Sequence, residues 1–165
     1  MERIDLNTLY LLIGGNLGDR MANLQTAKEL IAIEIGRISK ESSIYETEAW
    51  GNQNQPAFLN QVIILETELT ASKTMETILK IEHKMGRERY QKYDPRIIDI
   101  DILFYNYEII HTPNLTIPHP QIQNRKFVLV PLNEIAADYI HPALKKTITA
   151  LLNACKDPLE VNKFN

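Results

Sequence analysis

The chain has 165 residues, of which 44% are hydrophobic and 24% charged, and this composition is sufficient for one globular domain with a substantial core. A formal net charge of -3 excludes a general electrostatic attraction to nucleic acid or to an anionic membrane, so any affinity for phosphate has to be local. The single cysteine, Cys155, excludes an intramolecular disulfide and a cysteine-rich metal site. Because neither a signal-peptide core nor a membrane-spanning apolar run is present, we expect a cytoplasmic protein with one domain over residues 1–165.

Apolar periodicity predicts strands and helices that alternate along the chain. In chain order the predicted elements are strand 9–13, helix 20–35, strands 38–45 and 58–69, helix 72–85, strands 98–104 and 109–111, and helices 126–135 and 145–154. Asp19 and Ser72 are the predicted N-caps of the first two helices, and Gly86 is expected to provide a left-handed end to the second. A turn at 106–108 is expected to pair strand 109–111 with strand 98–104.

The glycine-rich turn at residues 14–18 (GGNLG) follows the first predicted strand. It lacks the Lys-Ser/Thr ending of a P-loop and the glycine spacing of a dinucleotide-binding turn. We therefore interpret it as a tight strand-to-helix turn that needs positive φ values, and not as a phosphate-binding loop.

Two aspartates, Asp99 and Asp101, lie two residues apart in the strand 98–104. The apolar residues that alternate with them are Ile98, Ile100, Ile102 and Phe104. Side chains two apart on a strand share a face and lie roughly 6.6 Å apart, so both carboxylates point the same way. Two oxygen ligands on a rigid strand, with Arg96 just upstream, suit Mg²⁺ ions that carry substrate phosphates. The alternative is a solvated strand face that carries two aspartates.

Further polar residues surround this pair in the sequence. Glu82 falls on the apolar stripe of the second helix, where it has either a functional role or a position at the stripe's edge that reaches water. His119, held between two prolines, precedes Arg125 by six residues. A basic loop also leads into the aspartate strand, and its cations are Arg87, Arg89, Lys92 and Arg96. This segment is either a solvated loop or part of a site in which a polyphosphate and its metal ions lie between the cations and the paired carboxylates.

Four segments, in order and at matching spacing, resemble the 6-hydroxymethyl-7,8-dihydropterin pyrophosphokinases of folate biosynthesis. They are FLNQ at 58–61, IExxMGRxR at 81–89, PRxxDxD at 95–101 and PHPxxxxRxF at 118–127. The similarity extends over residues 9–141. It implies an α/β (α+β) sandwich of the ferredoxin-like kind, with a mostly antiparallel sheet and helices on both faces.

The resemblance also implies an activity and its ligands. The implied reaction transfers pyrophosphate from ATP to the hydroxymethyl group of the pterin and releases AMP. Two Mg²⁺ ions and ATP as co-substrate are implied, in a monomer that binds small molecules and has no nucleic-acid or membrane partner.

By this similarity, the site residues fall into three groups. The catalytic positions are Arg87, Arg96, Asp99 and Asp101, with the two aspartates also binding metal. The ATP-binding positions are Glu82, Arg89, Tyr93, Arg96, Ile102, Thr116, His119 and Arg125. The pterin-binding positions are Thr47, Trp50, Phe58, Asn60, Asp99 and Phe127, with the pterin between the two phenylalanines.

Two other classes of protein predict different residues at these positions. A regulatory domain that had lost turnover would show altered residues at Asp99, Asp101 or Arg96, and all three are present. An RNA-binding ferredoxin-like sheet would carry aromatic and basic residues on its exposed face, where this strand carries two carboxylates.

Overall fold

The computed structural model describes residues 5–49, 54–86 and 97–165, which form eight strands and four α-helices. The strands are β1 (Asn7–Gly15), β2 (Gly36–Glu41), β3 (Tyr45–Thr47), β4 (Phe58–Thr67), β5 (Asp99–Tyr105), β6 (Ile110–Thr112), β7 (Leu115–Ile117) and β8 (Val161–Lys163). The helices are α1 (Arg20–Glu34), α2 (Ala71–Lys84), α3 (Lys126–Ala136) and α4 (Ile148–Ala154), and a 3-10 turn covers Ile122–Asn124. No helix within the described ranges is both long enough and apolar enough to cross a membrane.

The main sheet has the strand order β5-β1-β4-β3-β8, and β2 pairs with β4. Every pair among the described strands is antiparallel. The order β1, α1, β2 with β3, β4, α2, β5 gives a βαββαβ unit in which the last strand lies beside the first. The predicted α+β sandwich with a mostly antiparallel sheet is therefore confirmed.

Helices cover both faces of this sheet, as predicted. On the first face, α1 and α2 pack side chains such as Leu24 and Ile78 against Leu11 of β1. On the second face, α3 and α4 pack against Leu12 of β1 and Val62 of β4. Alternate residues of the same strands thus supply both cores.

The strand that carries Asp99 and Asp101 contains a β-bulge, so its side chains do not alternate as predicted. The register of β5 against β1 shifts between Ile102 and Phe104, leaving Leu103 as an extra residue. Ile102 faces the first-face core, whereas Leu103 and Phe104 both belong to the second-face core. The prediction that Phe104 shares a face with the strand's isoleucines was wrong because an extra residue inverts the pattern beyond it.

Two helix and strand boundaries also differ from the prediction. The N-cap of α2 is Thr70 and not Ser72, since the Thr70 hydroxyl accepts a hydrogen bond from the Lys73 amide at 3.1 Å. The strand predicted at 38–45 divides into β2 and β3 at Ser42, whose hydroxyl accepts from the Val62 amide at 3.0 Å. The Ser42 hydroxyl thus binds the partner strand in addition to the backbone, because the Ser42 amide also donates to the Val62 carbonyl at 2.9 Å.

The C-terminal third shows three more differences. The strand predicted at 109–111 exists as β6, but its partner is β7 and not β5. Asn106 explains this change, because its φ is +50° and its Oδ1 accepts from the Thr8 amide at 2.8 Å, which turns the chain back beside β1. The last helix starts at Ile148, and the short edge strand β8 was not predicted.

Candidate active site

The ends of four strands meet at one end of the sheet. Gly14, near the end of β1, lies opposite Asp99 of β5 and opposite Asn60 of β4. Asp99, Gly14 and Asn60 therefore form a row across three neighbouring strands. The row lies on the second face, because Leu12 and Val62, each two residues away from a member, belong to the second-face core.

Further candidate residues lie on β5, beyond Asp99, and on β3, the next strand beside β4. Asp101 lies opposite Leu12 on β1, and Thr47 of β3 lies opposite Phe58 of β4. The predicted metal residues and three predicted pterin residues thus share one end of one face. The hydroxyl of Thr47 donates to the Glu160 carbonyl at 2.8 Å, so this side chain is already paired within the protein.

Gly14 is required by close packing, and this corrects the interpretation of the glycine-rich turn. A Cβ on Gly14 would lie 2.1 Å from Asn60 Oδ1 and 2.8 Å from the Leu59 carbonyl oxygen. Gly14 belongs to β1, and within the glycine-rich segment the positive φ occurs at Gly18 (+69°). The missing side chain lets the Asn60 amide lie over β1, next to the aspartates.

Asp99 and Asp101 are both partly exposed, and Ile100 between them is buried. Within residues 5–49, 54–86 and 97–165, no three His, Cys, Asp or Glu side chains are grouped to hold a metal ion. Mg²⁺ needs six ligands, and it keeps several waters and substrate oxygens when few protein ligands are present. This donor set fits magnesium that is bound together with a polyphosphate.

Glu82 lies inward from α2 and does not reach water, since only 3% of its surface is exposed. Its Oε2 accepts a hydrogen bond from the backbone amide of Ile100 at 2.8 Å. Among the strands of residues 5–49, 54–86 and 97–165, β5 lies at an edge of the sheet, so this amide has no further strand there to pair with. Glu82 therefore holds the backbone between the two aspartates.

His119 lies beside the same strand, with its backbone amide donating to the Leu103 carbonyl at 3.1 Å. Its Nδ1 accepts from the Gln121 amide at 3.1 Å, so the proton of the neutral ring is on Nε2. Burial lowers the pKa of His119 to about 4; Arg125 adds to this effect and Asp99 opposes it. At neutral pH the ring is an uncharged Nε2–H donor.

Arg125 and Phe127 lie at the start of α3, on the second face. The Arg125 guanidinium carbon lies 5.6 Å from the centre of the Phe127 ring. The backbone amide of Lys126, between them, donates to Asp157 Oδ2 at 3.1 Å. A cation and an aromatic ring are thus presented together by the first turn of one helix.

Residues 10–137 match the sequence model of a family described as 7,8-dihydro-6-hydroxymethylpterin-pyrophosphokinase (HPPK). The chain belongs to this family. As a pyrophosphokinase of folate biosynthesis, it transfers a pyrophosphoryl group from ATP to 6-hydroxymethyl-7,8-dihydropterin.

Curated pyrophosphokinases are similar over most of their length. The 2-amino-4-hydroxy-6-hydroxymethyldihydropteridine pyrophosphokinase of Aquifex aeolicus is 42% identical over 141 residues, which cover 86% of this chain and 88% of the relative. The enzyme of the same name from Haemophilus influenzae is 38% identical over 151 residues and covers 91% and 94%. A Plasmodium falciparum HPPK-DHPS structure has a TM-score of 0.74 at 20% identity. It covers 93% of this chain but 44% of that longer chain, and it supports the fold alone.

Two residues expected in the ATP site of this pyrophosphokinase have side chains that are not part of the row. The Ile102 side chain is buried in the first-face core, so a ligand can meet only its backbone at the edge of β5. Thr116 is exposed on β7, opposite His111. The remaining expected positions lie outside the described residues: Trp50, Arg87, Arg89, Tyr93 and Arg96.

Sequence reasoning did not single out Asp157 or the packing role of Gly14. Asp157 is separated by 31 residues from the amide that it binds, so no local pattern marks it. The glycine-rich segment is visible in the sequence, but the spacing of its glycines carries no information about a neighbouring strand.

Proposed function

We propose that this end of the sheet is where pyrophosphoryl transfer takes place. The row of Asp99, Gly14 and Asn60 carries the proposal, because it sets a metal-binding carboxylate beside an amide able to read a heterocycle. ATP would lie on the β5 side of the row and the pterin on the β4 side. The attacking hydroxymethyl group then falls between them.

The triphosphate is assigned to the donors around β5. His119 offers an uncharged Nε2–H, which would donate a hydrogen bond to a phosphate oxygen. Arg125 offers a guanidinium, which would donate hydrogen bonds and also neutralise phosphate charge. The basic residues Arg87, Arg89 and Arg96 are assigned to the same phosphates on the sequence alone. The backbone of Ile102, at the sheet edge, is assigned to the adenine.

Asp99 and Asp101 are assigned to two Mg²⁺ ions, which would neutralise phosphate charge and hold the reacting oxygens in line. Glu82 keeps the strand backbone between these carboxylates in place through Ile100. Attack on the β-phosphorus needs in-line geometry more than a strong protein base. The chain's main contribution is therefore to position its ligands and to supply charge.

The pterin is assigned to the β4 side of the row. Phe58 and Phe127, both partly buried, would stack on the flat ring, and Asn60 would hydrogen bond to its edge. The Asn60 side chain is held over β1 by the space at Gly14. The backbone of Thr47 would provide a second directed contact.

We further propose that the protein acts as a cytoplasmic monomer with one domain, and that nucleic acid is not a partner. Membership of a folate-biosynthesis family and the net charge of -3 support this proposal.

Substituting one metal-binding carboxylate tests the assignment. We expect Asp101→Asn to reduce AMP formation by at least ~10³-fold, or about 4 kcal/mol of transition-state stabilisation. Unfolding of the ligand-free protein should be unaffected or shifted to higher temperature, because the substitution removes one of two neighbouring like charges. Asp138→Asn, at an exposed position after α3, is the matched control and should keep full turnover. Near-normal turnover in Asp101→Asn would remove the metal assignment.

A further inference from the structure

The C-terminal segment, defined as residues 155–164, lies beyond the part of the chain that matches the family. Its Asp157 is buried, with 7% of its surface exposed. Oδ2 accepts from the Lys126 amide at 3.1 Å, and Oδ1 accepts from the Leu159 amide at 3.0 Å. One carboxylate thus joins this segment to the first residue of α3.

The helix depends on this contact because its own sequence supplies no cap. The N-cap residue of α3, Arg125, makes no capping side-chain hydrogen bond, and the first turn holds no acidic residue. The first amides of a helix need acceptors, and a negative charge there is favoured by the helix dipole. Asp157 provides both an acceptor and a charge.

The same segment also contacts the opposite side of the proposed pterin slot. The Thr47 hydroxyl donates to the Glu160 carbonyl, and β8 pairs with β3 so that Val161 lies opposite Thr47. The Phe164 amide donates to the Ile44 carbonyl at 2.8 Å. The segment therefore connects β3, which carries Thr47, with the start of α3.

We propose that Asp157 is a positioning residue for the reaction. By capping α3 across the end of the sheet, it fixes the turn that carries Arg125 and Phe127 relative to Thr47 and Asn60. Ligands would then meet a preorganised turn and would not have to order one on binding. The inference rests on the proposed placement of ATP and pterin at this end of the sheet.

The test compares two caps in the same chain. Asp157→Ala removes the cap of α3, and Thr147→Ala removes the cap of α4, where the Thr147 hydroxyl accepts from the Ala150 amide at 3.1 Å. Asp157→Asn keeps an acceptor but loses the charge, and it serves if Asp157→Ala does not fold. The measurements are amide hydrogen exchange at Lys126 without ligand, and calorimetric Kd values for the pterin and for a non-hydrolysable ATP analogue with Mg²⁺.

We expect Asp157→Ala to accelerate exchange at Lys126 and to weaken pterin binding roughly tenfold, the scale of ordering one or two side chains on binding. Asp157→Asn should fall between this variant and the unsubstituted enzyme. Thr147→Ala should lower thermal stability and leave both Kd values within about twofold, a change too small to reflect a lost contact.

Unchanged Kd values in a folded Asp157→Ala or Asp157→Asn variant would overturn the positioning role. Equal losses of affinity in Asp157→Ala and Thr147→Ala would also overturn it, since the effect would then be one of general stability. Failure of the site assignment has a separate signature: neither ligand would then shift the amide signals of Arg125 and Phe127 in the unsubstituted enzyme.

Discussion

His119 combines a fixed tautomer with an uncharged ring. The Gln121 amide occupies Nδ1, and burial lowers the pKa to about 4 with help from Arg125. A protonated ring would add a charge beside Arg125 in a partly dehydrated position. At the proposed triphosphate site, the neutral ring would give a directional hydrogen bond, and the arginines would supply the charge.

The lowered pKa of His119 predicts a specific loss of stability in acid. In the unfolded chain His119 takes up a proton near its ordinary pKa of 6.5, whereas in the folded protein it stays neutral until about 4. Its contribution to stability is thus fully present above pH 6.5 and is lost as the pH falls toward 4. Between pH 7.5 and 4.5, the unfolding free energy should fall by about 2 kcal/mol more in the unsubstituted protein than in His119→Gln.

Urea unfolding of both proteins without ligand, over this pH series, measures the difference. His141, whose pKa burial also lowers, is present in both proteins and cancels from the comparison. Parallel pH curves for the two proteins would show that His119 is not held neutral by the fold.

For single residues, the sequence predicts the position of a side chain where that position depends on neighbours in the same strand or helix. The shared face of Asp99 and Asp101 follows from their spacing, whereas the helical stripe left Glu82 either inward or at an edge that reaches water, and the structure places it inward. The hydrogen bond from Ile100 to Glu82 joins residues 18 apart, and the cap from Asp157 spans 31 residues. Such partners depend on tertiary packing and leave no periodic signal.

At the level of elements, β5 carries the two aspartates proposed to bind metal, although it lies at one edge of the sheet formed by the described strands. Edge strands expose backbone amides, and α2 covers this one through Glu82. The contact fixes the strand where its two aspartates project toward the second face. We therefore expect Glu82 to stabilise the ligand-free fold, in addition to any contact that it makes with ATP.

Glu82→Ala should lower the unfolding free energy of the ligand-free protein by about 2 kcal/mol, because the buried amide of Ile100 loses its acceptor. Glu82→Gln keeps an acceptor oxygen and should lose less. Glu76→Ala on the same helix is the matched control, since its ion pairs with Lys73 and Lys80 are exposed and contribute little. Urea unfolding and exchange at Ile100 measure both effects. A Glu82→Ala protein as stable as the control would mean that the hydrogen bond from Ile100 to Glu82 does not stabilise the fold.

The elements that the sequence predicts well are those whose periodicity is uninterrupted. Helix α1 and its Asp19 cap lie as predicted, and so does the left-handed turn at Gly86. The break at Ser42 was missed because it depends on Val62, which is 20 residues away. The strand β8 was missed because its three residues form a strand only by pairing with β3.

On the scale of the whole molecule, the two cores are not independent. Residues of β1 and β4 alternate between the first face and the second, so the same backbone supports both layers. The proposed site lies at one end of these shared strands. A loss of packing on either face should therefore also destabilise the proposed site, because the shared strands connect them.

This sharing predicts a single cooperative unfolding transition, which can be tested with one substitution on each face. Leu24→Ala removes a buried side chain of α1, and Leu129→Ala removes one of α3; each should cost about 2 to 5 kcal/mol. A tyrosine cluster can be used to follow unfolding of the second face. The centre of the Tyr139 ring lies 4.8 Å from the ring centres of both Tyr10 and Tyr107.

If the sheet joins the two layers into one unit, Leu24→Ala on the first face must also shift unfolding of the second. The ring NMR signals of Tyr10 and Tyr139 should then change at the same lower urea midpoint as the far-ultraviolet circular dichroism, with Leu129→Ala behaving alike. The opposite result is a tyrosine signal that keeps its original midpoint while the far-ultraviolet signal of Leu24→Ala gains an earlier phase. It would mean that the second layer and the β4 side of the site persist without the first layer.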